Sequence, residues 1–162
     1  LDRGITIGLG TDTFPPDLIA NMHVGIMATR LVEKSMRASA AGYYHAATIG
    51  GANALNRPDL GRLMPGALAD ITIFDLDGFH LGQFIDPVQT MVLSGSGRDF
   101  TTVIVNGRIV VRDRQIDGID FAAMRDQAQR QYAKVVESAP ERSFEHPPLE
   151  EMYQPSFPVI SK

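Results

Sequence analysis

The acid in the stretch Ile7-Gly8-Leu9-Gly10-Thr11-Asp12-Thr13-Phe14-Pro15-Pro16-Asp17 stands where an apolar run stops and a helix-start pattern begins. A carboxylate at the end of a buried parallel strand, in the loop leading to the next helix, occupies the place where α/β barrels put their catalytic groups. There it can ligate a hard or borderline metal ion, or take a proton from metal-bound water. Taken alone, Gly10-Thr11-Asp12 reads first as an Asx-turn or cap that closes the strand. The other candidate donors are His23, His45, His80 and His146. No two are spaced as His-x-His or His-x-x-x-His, so none forms a local metal pair. His23 and His45 are expected as surface or satisfied core residues, and His80 and His146 as solvated loop residues. The sequence has no cysteine, which excludes disulfides, thiolate metal sites and cysteine nucleophiles; a metal has to sit on His and carboxylate donors.

Two glycine patterns carry less. Gly8 and Gly10 resemble part of a phosphate-binding turn, but no third glycine follows at the right offset and prolines stand where a dinucleotide site needs helix N–H groups. Ser94-Gly95-Ser96-Gly97 offers backbone amides to an anion, with a linker or tight turn as the preferred reading. Ser94 and Ser96 have no neighbouring His in sequence to activate them as nucleophiles.

The elements that must position Asp12 follow from pattern. Gly4 to Leu9 is a short β-type run, ended by Gly-Thr-Asp. Pro15-Pro16-Asp17 has the composition of a first helical turn, with an acid near the positive dipole end. From Leu18 on, Ile19, Met22, Ile26 and Arg30 share one face, broadened by Leu18, Met27 and Leu31. A second helix is expected from Ala40 to Leu55, interrupted at Gly50-Gly51 and closed by the turn Asn56-Arg57-Pro58-Asp59. After Gly61 the pattern changes: Leu68 to Leu76 alternates like a strand, and Thr102 to Val111 holds two β-branched runs joined by Asn106-Gly107, a strong hairpin signal. Asp120 to Ser138 is an amphipathic helix with Asp120 as N-cap and Phe121, Met124, Ala128, Tyr132 and Val135 on one face. Beyond Ala139, five prolines with scattered aromatics read as an extended arm.

The 162 residues fit one domain of ordinary size. With 44% hydrophobic and 21% charged residues, a net charge of −4 and the two signs mixed, nothing favours nucleic acid or a membrane surface as partner. A cytoplasmic location is expected, since no signal-peptide pattern and no bilayer-length apolar run is present. The chain opens LDRGITIGLG, without Met and almost directly on a strand, as expected of a C-terminal piece of something longer.

Four segments, GTDTFPPD at 10–17, AATIGGANAL at 46–55, LGRLMPGALADITIFD at 60–75 and TVIVNGRIVV at 102–111, come in an order and spacing that resembles the C-terminal part of metal-dependent amidohydrolases. The likeness is to the branch with triazine-type chlorohydrolases, guanine deaminase and related aminohydrolases. Its most specific element is Gly61-Arg62-Leu63 followed by Pro65-Gly66-Ala67-Leu68-Ala69-Asp70, similar to the pattern G-x-L-x-P-G-x-x-A-D.

The resemblance implies an α/β fold: the last βα unit or units of a (β/α)8 TIM-type barrel over residues 1–60 and the C-terminal half of a small composite β-sandwich over 61–118. A C-terminal helix at 119–139 and a proline-rich arm at 140–162 complete the organisation. It implies that Asp12 is a metal ligand or the proton-transferring base beside the metal. Thr11 and Thr13 are expected to orient Asp12, and Phe14 to line a substrate pocket. The implied cofactor is a divalent metal, zinc ahead of iron. The implied reaction is hydrolysis of a C–N or C–halogen bond of a small heteroaromatic molecule by metal-activated water. The family's remaining His and acidic ligands lie upstream of the segment that this chain resembles, and a catalytic zinc needs about three protein donors. The fold is therefore expected to be incomplete alone, and the isolated chain inactive. Association with the missing N-terminal portion, or homo-oligomerisation, is expected to cover its open faces. The rival expectation is a non-catalytic structural or oligomerisation module in which Asp12 is a plain strand-end acid.

Overall fold

The computed structural model describes residues 4–12 and 16–157. They fall into two compact units, one ending at Asp117 and the other beginning at Gly118.

In the first unit, helix α1 runs Leu18–Glu33. Asp17 is its N-cap, in extended conformation, and not part of the first turn as composition suggested. Outside the helix its side chain can replace the acceptors that the first N–H groups lack: Asp17 Oδ1 takes the Ile19 N–H at 2.9 Å and the Ala20 N–H at 3.2 Å. Ile19, Met22 and Ile26 are buried as their spacing predicts, while Met27 and Leu31 are exposed.

Helix α2, Ala40–His45, is capped by Ser39. It passes without a break into a π-helical turn, Ala46–Gly50, and then α3, Gly51–Ala54. Gly50 and Gly51 do not interrupt it: both have helical torsions. Their use is close approach. A methyl group on Gly50 would overlap the Ile7 carbonyl oxygen, and one on Gly8 would lie 3.2 Å from Gly51 Cα. The π turn also leaves the Ala46 carbonyl able to accept the Leu9 N–H, at 3.1 Å.

The expected strand at Gly4–Leu9 is corrected by this picture. These residues carry no strand, and the sheet that the described residues form does not include them. A strand needs a neighbour to pair its N–H and C=O groups. Here the segment docks on helix backbone, with Ile5 63% and Ile7 44% exposed.

The sheet is antiparallel, in the order β1 (Ile71–Phe74), β2 (Phe100–Val105), β3 (Arg108–Val111). Asn106 and Gly107 both have left-handed torsions, φ 48 and 76, as a two-residue hairpin turn of the favoured twist requires. The turn is locked from β1: Asp70 Oδ1 accepts the Asn106 N–H at 2.7 Å, and the Ala69 carbonyl accepts the Gly107 N–H at 2.9 Å. The acid that ends PGALAD is thus a hairpin clamp. Asp70→Ala is expected to lower unfolding free energy by about 1 kcal/mol, measured by urea denaturation; an unchanged midpoint would contradict the clamp.

Between β1 and β2 lie a 3-10 turn at Phe79–Leu81, helix α4 at Pro87–Ser94 and a second 3-10 turn at Gly97–Asp99. α4 was not expected from periodicity, because eight residues make barely two turns. Its Asp86-Pro87 start, with Asp86 capping Val88 and Gln89, carried the local signal. Met91 and Val92 from α4 close the core with Ile19, Met22, Ile26 and Ala40. Phe74 and Phe100 pack edge to face beside it, centroids 5.2 Å apart.

The second unit holds α5, Phe121–Glu137, with Asp120 as N-cap accepting the Ala123 N–H at 3.0 Å. The segment expected as an extended arm contains two single-turn helices, α6 at Ala139–Arg142 and α7 at Leu149–Met152. Pro140 sits in the first turn of α6 and Pro148 at the N-cap of α7, where a missing N–H costs nothing. No helix among the described residues is long and apolar enough to cross a membrane.

Candidate active site

Asp12 is exposed and has φ 58, in the left-handed region. Asp and Asn tolerate that conformation better than other side chains, so the backbone there matches the turn chemistry of Gly-Thr-Asp. Among the described residues no hydrogen bond or ion pair holds its carboxylate, and none joins it to Thr11, which is half-buried. Thr13 and Phe14 lie outside the described residues.

Leu9 and Asp17, described residues before and after Asp12, are each bonded to a distant part of the unit. Upstream, the Leu9 N–H is bonded to Ala46 in the π turn. Downstream, Asp17 uses its second carboxylate oxygen to accept the Gly97 N–H at 2.9 Å, across 80 residues of sequence. The Ser94-Gly95-Ser96-Gly97 run therefore does meet an anion, and that anion is the chain's own Asp17. The composition of Pro15-Pro16-Asp17 pointed to an acid in the first helical turn; neither its place at the N-cap nor its bond to Gly97 follows from that composition.

The loop that offers Gly97 is itself braced. Asp99 is buried, and its Oδ2 accepts the Ser96 N–H at 2.8 Å and the Ser96 hydroxyl at 3.1 Å. Its Oδ1 lies 3.1 Å from His80 Nε2. His80, expected to be solvated, is 58% exposed in its side chain yet paired with an acid. Ser96 and His80 bind opposite oxygens of Asp99 and not each other, so this is a brace and not a nucleophile relay.

Burial pushes the Asp99 carboxyl up, but the Ser96 N–H, the His80 ring and the Ser96 hydroxyl outweigh it and hold the group below its ordinary value of 3.8. A folded value below the unfolded one means that the stabilisation is fully present above pH 3.8 and is lost as pH falls through the folded value. Thermal midpoints recorded from pH 5 down to about 2 should therefore fall below about pH 4. His80→Ala removes one of the lowering interactions and brings the folded value nearer the unfolded one, so in that variant the fall should be smaller and should end at higher pH. Superimposable profiles would contradict the brace.

A catalytic metal needs about three protein donors. Among the described residues no group of three His, Asp or Glu side chains is arranged to hold one. Asp12 alone does not make a metal centre.

Comparison with known proteins places this arrangement. Residues 1–110 match the model of the amidohydrolase family. The chain is 35% identical over 144 residues to a 5-methylthioadenosine/S-adenosylhomocysteine deaminase of Natronomonas pharaonis, covering 86% of this chain and 33% of that protein. It is 34% identical over 125 residues to a 5'-deoxyadenosine deaminase of Methanothermobacter thermautotrophicus, covering 74% and 29%. Among solved structures it superposes on the atrazine chlorohydrolase of Arthrobacter aurescens, complexed with zinc, with a TM-score of 0.68 at 28% identity, over 80% of this chain and 30% of that one. The chain spans about a third of the length of the curated relatives it matches. The match runs through both Asp12 and the PGALAD segment, and the chain belongs to the amidohydrolase family.

Proposed function

We propose that this chain is the C-terminal portion of a hydrolase that displaces an amino group, or a halogen, from an electron-poor carbon of a small heteroaromatic molecule. The carrying observation is the family match over residues 1–110, joined to relatives above 30% identity named as deaminases of adenosine-type compounds. In such a reaction the oxygen of water bonds to the ring carbon and ammonia or halide leaves. An amidohydrolase metal ion supplies Lewis-acid activation of that water, and zinc is the metal of the similar chlorohydrolase structure. Asp12 is assigned as one carboxylate of that centre, a ligand or a proton acceptor, with Thr11 and Thr13 orienting it and Phe14 near the substrate. The other donors come from protein beyond these residues.

Residues 1–60 then form the end of a barrel and 61–118 part of a composite sandwich. An open cavity of about 610 Å3, lined by Leu18, Met22, Val88, Phe100 and Ile104 among others, supports packing of further protein against this unit. That protein is the rest of a longer enzyme, or a second copy of the chain.

The rival reading, a structural module without catalytic residues, draws on the left-handed turn torsion of Asp12 and its exposure. The test is to assay the product of the complete reading frame containing this chain for ammonia release from methylthioadenosine and for chloride release from a chlorotriazine. Chelator-sensitive release of either is expected. Release of neither, across adenosine, guanine and triazine substrates, would contradict the proposal.

A further inference from the structure

We infer that Asn106-Gly107 is a site of spontaneous covalent modification, by deamidation, and that the residues leading into β1 hold it latent through two hydrogen bonds to the turn.

The chemistry follows from the residue pair. The backbone nitrogen of the residue after an asparagine can attack the side-chain amide, and glycine, with no Cβ, leaves that nitrogen unshielded. Asn106 alone among the four asparagines precedes a glycine; Asn21, Asn53 and Asn56 precede Met22, Ala54 and Arg57. In the first step a base takes the Gly107 amide proton, the nitrogen bonds to Asn106 Cγ, and the Cγ–Nδ2 bond breaks. The side-chain nitrogen leaves as ammonia, with a proton returned to it from water. Water then opens the five-membered imide at either carbonyl. The product is aspartate at position 106, or its isomer with the main chain routed through the side-chain carboxyl carbon.

Exposure and hydrogen bonding act in opposite directions on this step. The turn is exposed, and a methyl group built on Gly107 would meet no atom within 4 Å, so water and base reach it. Yet the proton that must be lost is engaged: the Gly107 N–H is donated to the Ala69 carbonyl at 2.9 Å. The Asn106 N–H is donated to Asp70 Oδ1 at 2.7 Å. Both central residues are thereby fixed in left-handed torsions, φ 48 and 76, and the flanking Val105 and Arg108 are paired across the hairpin. A turn pinned at both residues resists the rotation that would bring Asn106 Cγ over the Gly107 nitrogen. Attack therefore waits for local opening.

Modification would undo the hairpin that the clamp maintains. Aspartate at 106 sets a second negative charge beside Asp70, and the isomer lengthens the main chain within a two-residue turn whose length fixes the register of β2 and β3.

The test incubates the product of the complete reading frame at mildly alkaline pH, folded and unfolded in urea, beside its folded Asp70→Ala and Asp70→Asn variants. Peptide mass spectrometry follows conversion at Asn106. The folded parent is expected to react at least about tenfold more slowly than the unfolded one. Asp70→Ala should react about fivefold faster than the folded parent, and Asp70→Asn, which keeps an acceptor, within about twofold of it. Equal rates in folded and unfolded parent would overturn the latency, and that comparison needs no variant. Equal rates in Asp70→Ala and the folded parent would overturn the part assigned to Asp70. An Asp70→Ala rate as fast as in urea would mark global unfolding and overturn a local clamp. No conversion of Asn106 in urea would overturn the site itself.

Discussion

Asp12→Asn, made in the product of the complete reading frame, should lower kcat/KM by about 10²- to 10⁴-fold while leaving the thermal midpoint nearly unchanged. Asparagine is the informative replacement because it shares the tolerance of aspartate for the left-handed torsion at this position, φ 58. Alanine would add backbone strain to the loss of the carboxylate and blur the two. Asn removes charge and basicity but keeps size and turn geometry. Because Asp12 is exposed and no described residue bonds to its carboxylate, its neutralisation leaves no described partner unsatisfied. A large kinetic effect with a small stability effect is therefore the signature of a site residue. Near-parental turnover would return Asp12 to the turn role that Gly10-Thr11-Asp12 first suggested.

The second large effect concerns the floor on which that segment lies. Gly50→Ala should destabilise the protein by about 1–3 kcal/mol, because the new methyl group overlaps the Ile7 carbonyl oxygen, which is backbone and cannot rotate away. The neighbouring Gly51→Ala should do the reverse. Its methyl group would meet only the Ala46 carbonyl oxygen, at 3.9 Å, and alanine in a helix is favoured over glycine by about 0.5–1 kcal/mol. Two adjacent glycines with identical substitutions and opposite signs make a demanding test, read by chemical denaturation. The Gly50 variant should also lose activity, since Ile7 to Leu9 lead directly to Asp12. If both variants proved stabilising, the docking of Ile7 on the π turn would be wrong.

These glycines also mark the limit of what was legible in the sequence. The Ile19, Met22, Ile26 face, the Asp120 cap of α5 and the Asn106-Gly107 turn depend on residues within a few positions of one another, and each was readable from spacing and residue type. Gly50-Gly51 looked like an interruption because helix propensity is a local quantity. Its structural use is the close approach of Ile7 from another segment. The Gly4–Leu9 run has β-type composition, yet a strand exists only with a partner, and the sheet of the described residues is built from β1, β2 and β3 alone.

The candidate site divides the same way. The place of Asp12 between a β-type apolar run and the start of α1 was visible in the sequence, and the likeness of four segments to one family suggested a role for it. The Asp17–Gly97 clasp spans 80 residues and the His80–Asp99 pair spans 19. Neither has a local pattern, because nothing nearby in sequence says which loop a side chain will meet. Asp70 shows the converse. As the acid of a family motif it invites a chemical role, but in the structure it clamps a hairpin.

The central claim is that Asp12 is one donor of a metal centre completed by protein outside these residues, and metal content tests it most directly. The product of the complete reading frame, its Asp12→Asn variant and the isolated 162-residue chain should be purified under identical conditions and analysed for bound zinc and iron by mass spectrometry. The expected result is near-stoichiometric metal on the parent, clearly less or more weakly held metal on the variant, and none on the isolated chain. Stoichiometric metal on the isolated chain, or equal and equally tight metal on parent and variant, would contradict the account.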